Sequence, residues 1–300
     1  MTADNLVLIP GAGGVGRTVF EHLRAQDVPV RFMVRRDDER AAELRALGAE
    51  VVIGDLTRPE TVAAALQGVS RMHFGISVSP DQLLAATVVA SVAREYGELA
   101  ALVDLSQMTV SQMTATSTEE SHQQRLHWLT EQMFDWSGLP VVHVRPTAFL
   151  DNPLFTTIAA RSIQANGTIA LPFGTGRTSP VAADDVARTI ATVLRDPAPH
   201  IGQVYELTGP RSVDMTELAA EFSRALNRPV SYVDLPPDRW EAQLPKLGMS
   251  PHLAQHVATM ARLHRDNRND RTADGVERVT GTPAMSIEAF VAARRDFYLG

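Results

Sequence analysis

A chain of 300 residues with 44% hydrophobic and 21% charged content can bury a full core, as one large α/β domain or as one domain with a smaller lobe. Its formal net charge of -7 argues against general affinity for nucleic acid or an acidic membrane surface, and the lack of cysteine excludes disulfides, thiolate nucleophiles and Cys-based metal sites. No basic segment leads into an apolar one at the start, and the most apolar helical window, Leu83 to Ala93, is too short to span a bilayer. No membrane partner is expected, and the cytoplasm is the default location.

Strands are predicted at Asn5–Ile9, Pro29–Val34, Glu50–Ile53, Arg71–Ile76, Ala100–Leu105, Pro140–Val144 and Gln203–Leu207. Between them fall helices near Val15–Ala25, Asp37–Leu47, Pro59–Gln67, Asp81–Tyr96, Ser121–Trp136 and Asp184–Arg195, with Thr57 as the N-cap of the third and Gly68 as its stop. Strands separated by helices of this length require crossovers and therefore a parallel sheet covered on both faces. The unbroken apolar run Leu6-Val7-Leu8-Ile9 fits a strand with no solvent-facing side.

Regularity fades after Phe149. Phe173-Gly174-Thr175-Gly176-Arg177 reads as a Gly-rich loop, Tyr232–Leu235 as a short strand, Pro251–His264 as a helix and Arg265–Thr272 as an exposed loop. The expected architecture is α/β, a doubly wound parallel sheet of Rossmann type with a smaller, mainly helical C-terminal lobe. Residues 1–150, completed by about 181–208, form the nucleotide-binding domain; residues 151–180 and 209–300 form the substrate-covering lobe.

The first strand runs into Pro10-Gly11-Ala12-Gly13-Gly14-Val15-Gly16-Arg17. Glycines at 11, 13 and 16 give G-x-G-x-x-G between strand and helix, where a Cβ would block the backbone from approaching a pyrophosphate and the helix start aims bare N–H groups at it. Position in the first βα turn makes an otherwise weak motif strong. The second strand ends Val34-Arg35-Arg36, where an NAD site would carry an acidic residue for the ribose 2′-OH. Guanidinium forks at Arg35 and Arg36, with Arg17 adding to them, suit a 2′-phosphate, so the expected cofactor is NADP(H). Asp37 and Asp38 come late enough to be helix-start residues. At the end of the third strand Asp55 either accepts from the adenine amine, with Leu56 packing on the ring, or caps the next helix. Ser77, after the fourth strand, stands where backbone passes close to a ribose.

These residues resemble the NmrA-like branch of the atypical short-chain dehydrogenase/reductase family. The resemblance runs in order through the Gly-rich loop, Val34-Arg35, Gly54-Asp55-Leu56, Leu105-Ser106 and His127-Trp128-Leu129-Thr130-Glu131. Ser137-Gly138-Leu139-Pro140, Arg145-Pro146 with Phe149 and Asn152, Val181 to Ala187 and Tyr205 to Pro210 complete it. It implies an NADP(H)-binding Rossmann domain with a small C-terminal lobe over a cleft. Such proteins usually carry G-x-x-G-x-x-G; aligned on Arg17, this chain has Pro10 at the first glycine, leaving Gly11 to make the tight turn.

Short-chain dehydrogenases commonly use Tyr-x-x-x-Lys on a helix, the ammonium lowering the phenol pKa so that it can pass a proton. None of the four tyrosines, at 96, 205, 232 and 298, has lysine four residues on, and the corresponding pair in the resembling helix is Gln123 and His127. His127 is the candidate polar group beside the nicotinamide, against the plainer reading of an ordinary helix histidine. Ser106 joins it as a catalytic candidate, with Gln107 beside it, because ligands bind beyond the carboxyl ends of strands in such sheets. Glu131 is counted with the cofactor-binding set; one turn from His127, it orients that ring or forms a surface pair. Phe149 and Asn152 line the cleft or fill the core, and Met108 and Met113 form either an adaptable apolar wall or plain core.

His252 and His256 have metal-compatible spacing but no third ligand, so no metal is expected; Asp184-Asp185 read as a helix start, and no G-x-S-x-G elbow is present. The leading expectation is an NADPH-dependent oxidoreductase passing hydride to a small planar carbonyl, quinone or related acceptor, with His127 and backbone groups near Ser106 polarising it. The resemblance leaves a second reading open, a non-catalytic NADP(H)-sensing protein that partners another; a third option, apart from the resemblance, is an isomerase or epimerase using bound nucleotide. Partners are a small-molecule substrate, with a homo-oligomer left open.

Overall fold

The computed structural model describes residues 5–11 and 13–300; Ala12, inside the glycine motif, lies outside the described residues. The chain divides into two compact units, the first comprising residues up to 110 with 123–145 and 186–205, the second 111–122, 146–185 and 206–300. In chain order the elements are β1 (Val7–Pro10), α1 (Gly14–Arg24), β2 (Val30–Val34), α2 (Glu39–Ala46), β3 (Glu50–Ile53), α3 (Pro59–Leu66), β4 (Arg71–Phe74), α4 (Gln82–Tyr96) and β5 (Ala101–Leu105). They continue with α5 (His122–Ser137), β6 (Val141–Pro146), α6 (Thr157–Asn166), β7 (Thr168–Leu171), α7 (Ala183–Arg195), β8 (Val204–Leu207), α8 (Met215–Leu226) and β9 (Ser231–Asp234). Five helices end the chain: α9 (Pro237–Glu241), α10 (Pro251–Arg265), α11 (Gly275–Thr280), α12 (Ile287–Ala292) and α13 (Arg295–Leu299). No helix among the described residues is long and apolar enough to cross a membrane.

A seven-stranded sheet in the order β3-β2-β1-β4-β5-β6-β8 forms the first unit's centre, and its paired strands from β3 to β6 are parallel. The order reverses between β1 and β4, the crevice where doubly wound sheets hold ligands. Val7, Leu8 and Ile9 are fully buried, as a strand covered on both faces requires. β1 begins two residues later than predicted and runs on to Pro10, tolerable because it is the strand's last residue. β4 stops at Phe74 rather than Ile76; the chain turns away at Gly75, where a Cβ would lie 2.7 Å from the His73 Nε2. Phe74 meets Phe134 of α5 edge-on with centroids 5.0 Å apart, tying that helix into the core.

Thr57 does not cap α3. The N-cap is Arg58, without a side-chain bond, while Thr57 donates both its N–H and its hydroxyl to Asp55 (2.9 and 2.8 Å).

The second unit has its own core, with Phe155, Ile163, Phe222, Phe290 and Tyr298 among its buried members. β7, which the sequence reading missed, pairs in parallel with β9, so the helical C-terminal region carries a two-stranded sheet. The Gly-rich loop at 173–177 is a packing device: a Cβ on Gly176 would sit 1.9 Å from the His264 carbonyl oxygen, and Phe173 stacks on the His264 ring at 4.1 Å. The segment Arg265–Thr272 is not a merely exposed loop, for Arg265 holds Asp234 through two bonds and Arg268 bonds Gln112, Glu119 and Glu120. His256, considered with His252 for metal spacing, is instead 2.8 Å from the Ser121 hydroxyl through Nδ1.

Candidate cofactor and acceptor site

The site is built where β1, β2, β3, β4 and β5 end. Gly11 adopts φ +79° and its N–H donates to the Met33 carbonyl (2.9 Å), so Gly11 makes the tight turn that Pro10 cannot. Gly13 is the N-cap of α1, with no side-chain cap, and a Cβ on Gly11, Gly13 or Gly14 would meet nothing within 4 Å. All three are exposed; Val15 and Arg17 are half-buried, while buried Gly16 packs 3.0 Å (as Cβ) from Ile9, the close helix-to-strand contact the third glycine permits. An uncapped helix start facing open space fits a diphosphate, whose oxygens would accept from the bare amides.

At the next corner, Val34 pairs with Ile53, and the Gly54 N–H donates to the Val34 carbonyl (2.9 Å), so the chains leaving β2 and β3 stay side by side. Arg35 and Arg36 are exposed there. The two aspartates that follow are turned elsewhere: Asp38 caps α2 by accepting from the Ala41 N–H and pairs with Arg40, and Asp37 pairs with Arg45 at 2.6 Å. Arg17 pairs with Glu21 on its own helix at 3.1 Å, so its guanidinium points along α1. Hydrogen bonds from Thr57 hold the Asp55 carboxyl below its ordinary range, burial opposing them and the charges of Arg35 and Arg58 adding to them. Leu56 is buried in the core with Met33 and Val62, which leaves little of it for an adenine face.

Helix α5 carries the candidate residues for the acceptor side. Gln123, His127, Glu131 and Asp135 recur every four residues and share one face. Asp135 meets His143 Nε2 (3.1 Å), and Glu131 meets Arg145 through two bonds, so two pairs one helical turn apart clamp α5 against β6. Glu131 is thus in a buried ion pair, neither a surface pair nor turned to the His127 ring, its carboxylate engaged by Arg145. Above the clamp, Gln123 accepts from the Ser79 N–H through Oε1 and faces His127 Nε2 with its amide nitrogen, both at 3.2 Å. The amide nitrogen can only donate, so neutral His127 carries its proton on Nδ1. Ser77 is exposed on the same segment as Ser79.

The Ser106 N–H donates to the Val144 carbonyl at 2.9 Å, so the backbone amide expected to polarise an acceptor is already used. The side chains remain: Ser106 Oγ and Gln107 Nε2 are buried and have no hydrogen-bond partner among the described residues. They are neighbours in the chain, and both lie beyond the end of β5. Met108 and Met113 are buried, as plain core filling requires.

The sequence reading missed the cluster beneath. Asp104 of β5, Glu131 and His143 bring their polar atoms within 4.8 Å of one another, all buried. His143 Nδ1 lies 2.9 Å from Asp104. Burial pulls the imidazolium down, but Asp104 and Glu131 outweigh it and raise His143 to about 9; burial pushes the Asp104 carboxyl up. With Arg145 on Glu131 and His143 on Asp104, the cluster already holds its own cations, which works against a metal ion. Its signal in the sequence was a polar residue in the middle of each of two apolar strands.

The four phenols are occupied structurally. Tyr96 donates to the Val69 carbonyl, Tyr232 to Leu171 and Tyr298 to Phe155, and Tyr205 lies 2.7 Å from His200 Nδ1. The only lysine of the sequence is Lys246, far from α5 in the chain.

Comparison with known proteins agrees with this geometry. The chain is similar to an NAD(P)H azoreductase of Xenophilus azovorans, at 29% identity over 96% of this chain and 97% of that one. Its fold is that of an NADPH-dependent quinone oxidoreductase from Escherichia coli solved with NADPH (TM-score 0.82, 24% identity, 96% and 99% covered). The fold is also that of NmrA, a negative transcriptional regulator solved with NADP (TM-score 0.80, 16% identity, 97% and 95% covered), in keeping with the NmrA-like resemblance. Residues 11–197, from the first glycine of the cradle to the end of α7, match the NAD(P)H-binding family, and the chain belongs to it.

Proposed function

We propose that the protein is an NADPH-dependent reductase that passes hydride to a small planar acceptor, a quinone or related carbonyl or azo compound, without a tyrosine–lysine dyad. The observation that carries the acceptor side is the pair of partnerless buried atoms, Ser106 Oγ and Gln107 Nε2, beyond the end of β5. The named activities of the azoreductase and the quinone oxidoreductase support the reaction class.

Bound NADPH would supply the hydride. The amides at Gly13, Gly14 and Val15 hold the diphosphate, and Arg35 and Arg36 receive the 2′-phosphate. His127, whose neutral form carries its proton on Nδ1, polarises the acceptor oxygen or nitrogen by donating a hydrogen bond, and Ser106 supplies a second donor. A neutral imidazole holds that proton too tightly to give it up, so the reduced acceptor is protonated from water.

The test is loss of nicotinamide absorbance when the protein and NADPH meet a panel of quinones, azo dyes and triarylmethane dyes. Turnover that falls about a hundredfold in His127→Ala, with NADPH binding intact, is expected. Tight NADPH binding with no turnover of any acceptor would instead favour a sensing role, and conversion without loss of NADPH would favour an isomerase.

A further inference from the structure

We propose that Arg58 is a third member of the cation set for the adenosine 2′-phosphate, and that with Arg35 and Arg36 it sets the preference for NADPH over NADH. The proposal rests on the reading that the corner after β2 and β3 receives the phosphorylated ribose.

The backbone brings Arg58 to that corner. β2 and β3 leave the sheet side by side, joined by the Gly54 N–H on the Val34 carbonyl. The turn after β3 is then closed tightly: Thr57 bonds Asp55, the Asp55 N–H donates to the Thr61 hydroxyl (3.1 Å), and the Arg58 N–H donates back to the Asp55 carbonyl (3.0 Å). Arg58 therefore sits over the same turn that Arg35 flanks from the neighbouring strand. The charges of Arg35 and Arg58 both bear on the Asp55 carboxylate, so both belong to the surroundings of this turn.

The charges around this corner fall into two groups. Arg17, Arg40 and Arg45 are each held by an acidic residue of their own segment, Glu21, Asp38 and Asp37. The guanidiniums of Arg35, Arg36 and Arg58 have no hydrogen bond or ion pair with any described residue, and all three residues are exposed. Asp55 accepts from the N–H and the hydroxyl of Thr57. A corner that commits its carboxylates elsewhere and leaves three guanidiniums uncommitted is suited to a phosphate dianion, which offers three acceptor oxygens to forked donors. NADH offers Arg58 only a neutral hydroxyl there, a weaker partner than a charged phosphate.

The experiment is calorimetric titration of the wild type, Arg35→Ala, Arg58→Ala and Arg58→Lys with NADPH and with NADH at two salt concentrations. Arg58 lies on the surface at an N-cap without a side-chain bond, so its variants are expected to melt like the wild type. The Kd for NADPH should rise about tenfold in Arg58→Ala, less in Arg58→Lys, and the salt dependence should flatten, with the Kd for NADH unchanged within about twofold. Equal weakening of both nucleotides, as stacking on adenine would give, or no change in either, overturns the role of Arg58. Should the wild type bind NADH as tightly as NADPH, the reading of the corner itself falls. A preference abolished by Arg35→Ala and untouched by Arg58→Ala keeps the corner and removes only Arg58.

Discussion

Glu131 and Arg145 form a two-bond pair at 2.9 and 2.5 Å with the carboxylate almost wholly buried, and this pair fixes how α5 lies on the sheet. Removing the cation alone would strand a carboxylate in the interior. Arg145→Met is therefore expected to lower unfolding free energy by about 3–5 kcal/mol, and Glu131→Gln with Arg145→Met to recover most of that loss. Urea unfolding of the single and double variants measures both. A single variant within about 1 kcal/mol of the wild type would mean that the pair is solvated and does not clamp the helix.

The glycines divide into those whose Cβ would stand in open space and those whose Cβ would clash, and one substitution of each kind separates them. Gly13 has extended backbone and open space at its Cβ, so Gly13→Ala should leave stability within about 0.5 kcal/mol while weakening NADPH about tenfold or more, because the methyl stands where the diphosphate approaches. Gly176→Ala should behave oppositely, costing about 1–3 kcal/mol through the clash with His264 and leaving nucleotide affinity alone. Identical effects of the two on stability would sink the distinction.

This division was only partly legible in the sequence. Gly11 to Gly16 stood out because strand, glycines and helix follow one another in the chain, and Arg35 because it ends a strand. The sheet was equally readable, since apolar runs such as Val7 to Ile9 have no alternation to mistake. Gly176 and the Thr57–Asp55 bond were not readable, because each depends on a partner that only the folded chain identifies: His264 lies 88 residues away, and Thr57 had an equally good local use as a cap. The Asp104–His143 contact was hidden for the same reason, as two strands far apart in sequence become neighbours in the sheet.

Histidines act on the pH dependence of stability from opposite sides, and His200, lowered by burial, adds to the acid side. His143 is raised to about 9, so the stability it contributes is complete below its ordinary 6.5 and is lost as pH climbs towards 9. His73, His256 and His264 are lowered by burial to about 4, so what they contribute is complete above 6.5 and is lost as pH falls towards 4. Stability should peak near pH 6.5. His143→Gln should flatten the alkaline limb, worth on the order of 2–3 kcal/mol, and leave the acid limb in place. An alkaline limb that persists in that variant would assign it to other groups.

Gln123 controls the state of His127 by chemistry that a substitution can reverse. Its Oε1 is committed to the Ser79 N–H, so only its amide nitrogen is left to face the ring, and the imidazole proton is driven to Nδ1. In Gln123→Glu the facing atom becomes an acceptor, His127 must then carry a proton on Nε2, and the carboxylate favours the imidazolium. The imidazole nitrogen chemical shifts of His127 should accordingly report the Nδ1–H form in the wild type and a doubly protonated ring in Gln123→Glu. The pH–rate profile of acceptor reduction should differ between that variant and the wild type. Gln123→Leu, which can neither donate nor accept, should give a mixture of the two neutral tautomers. If the wild-type ring already carries its proton on Nε2, or if Gln123→Leu leaves the tautomer unchanged, the ring is oriented by something other than Gln123 and the donor role given to Nδ1 is lost with it.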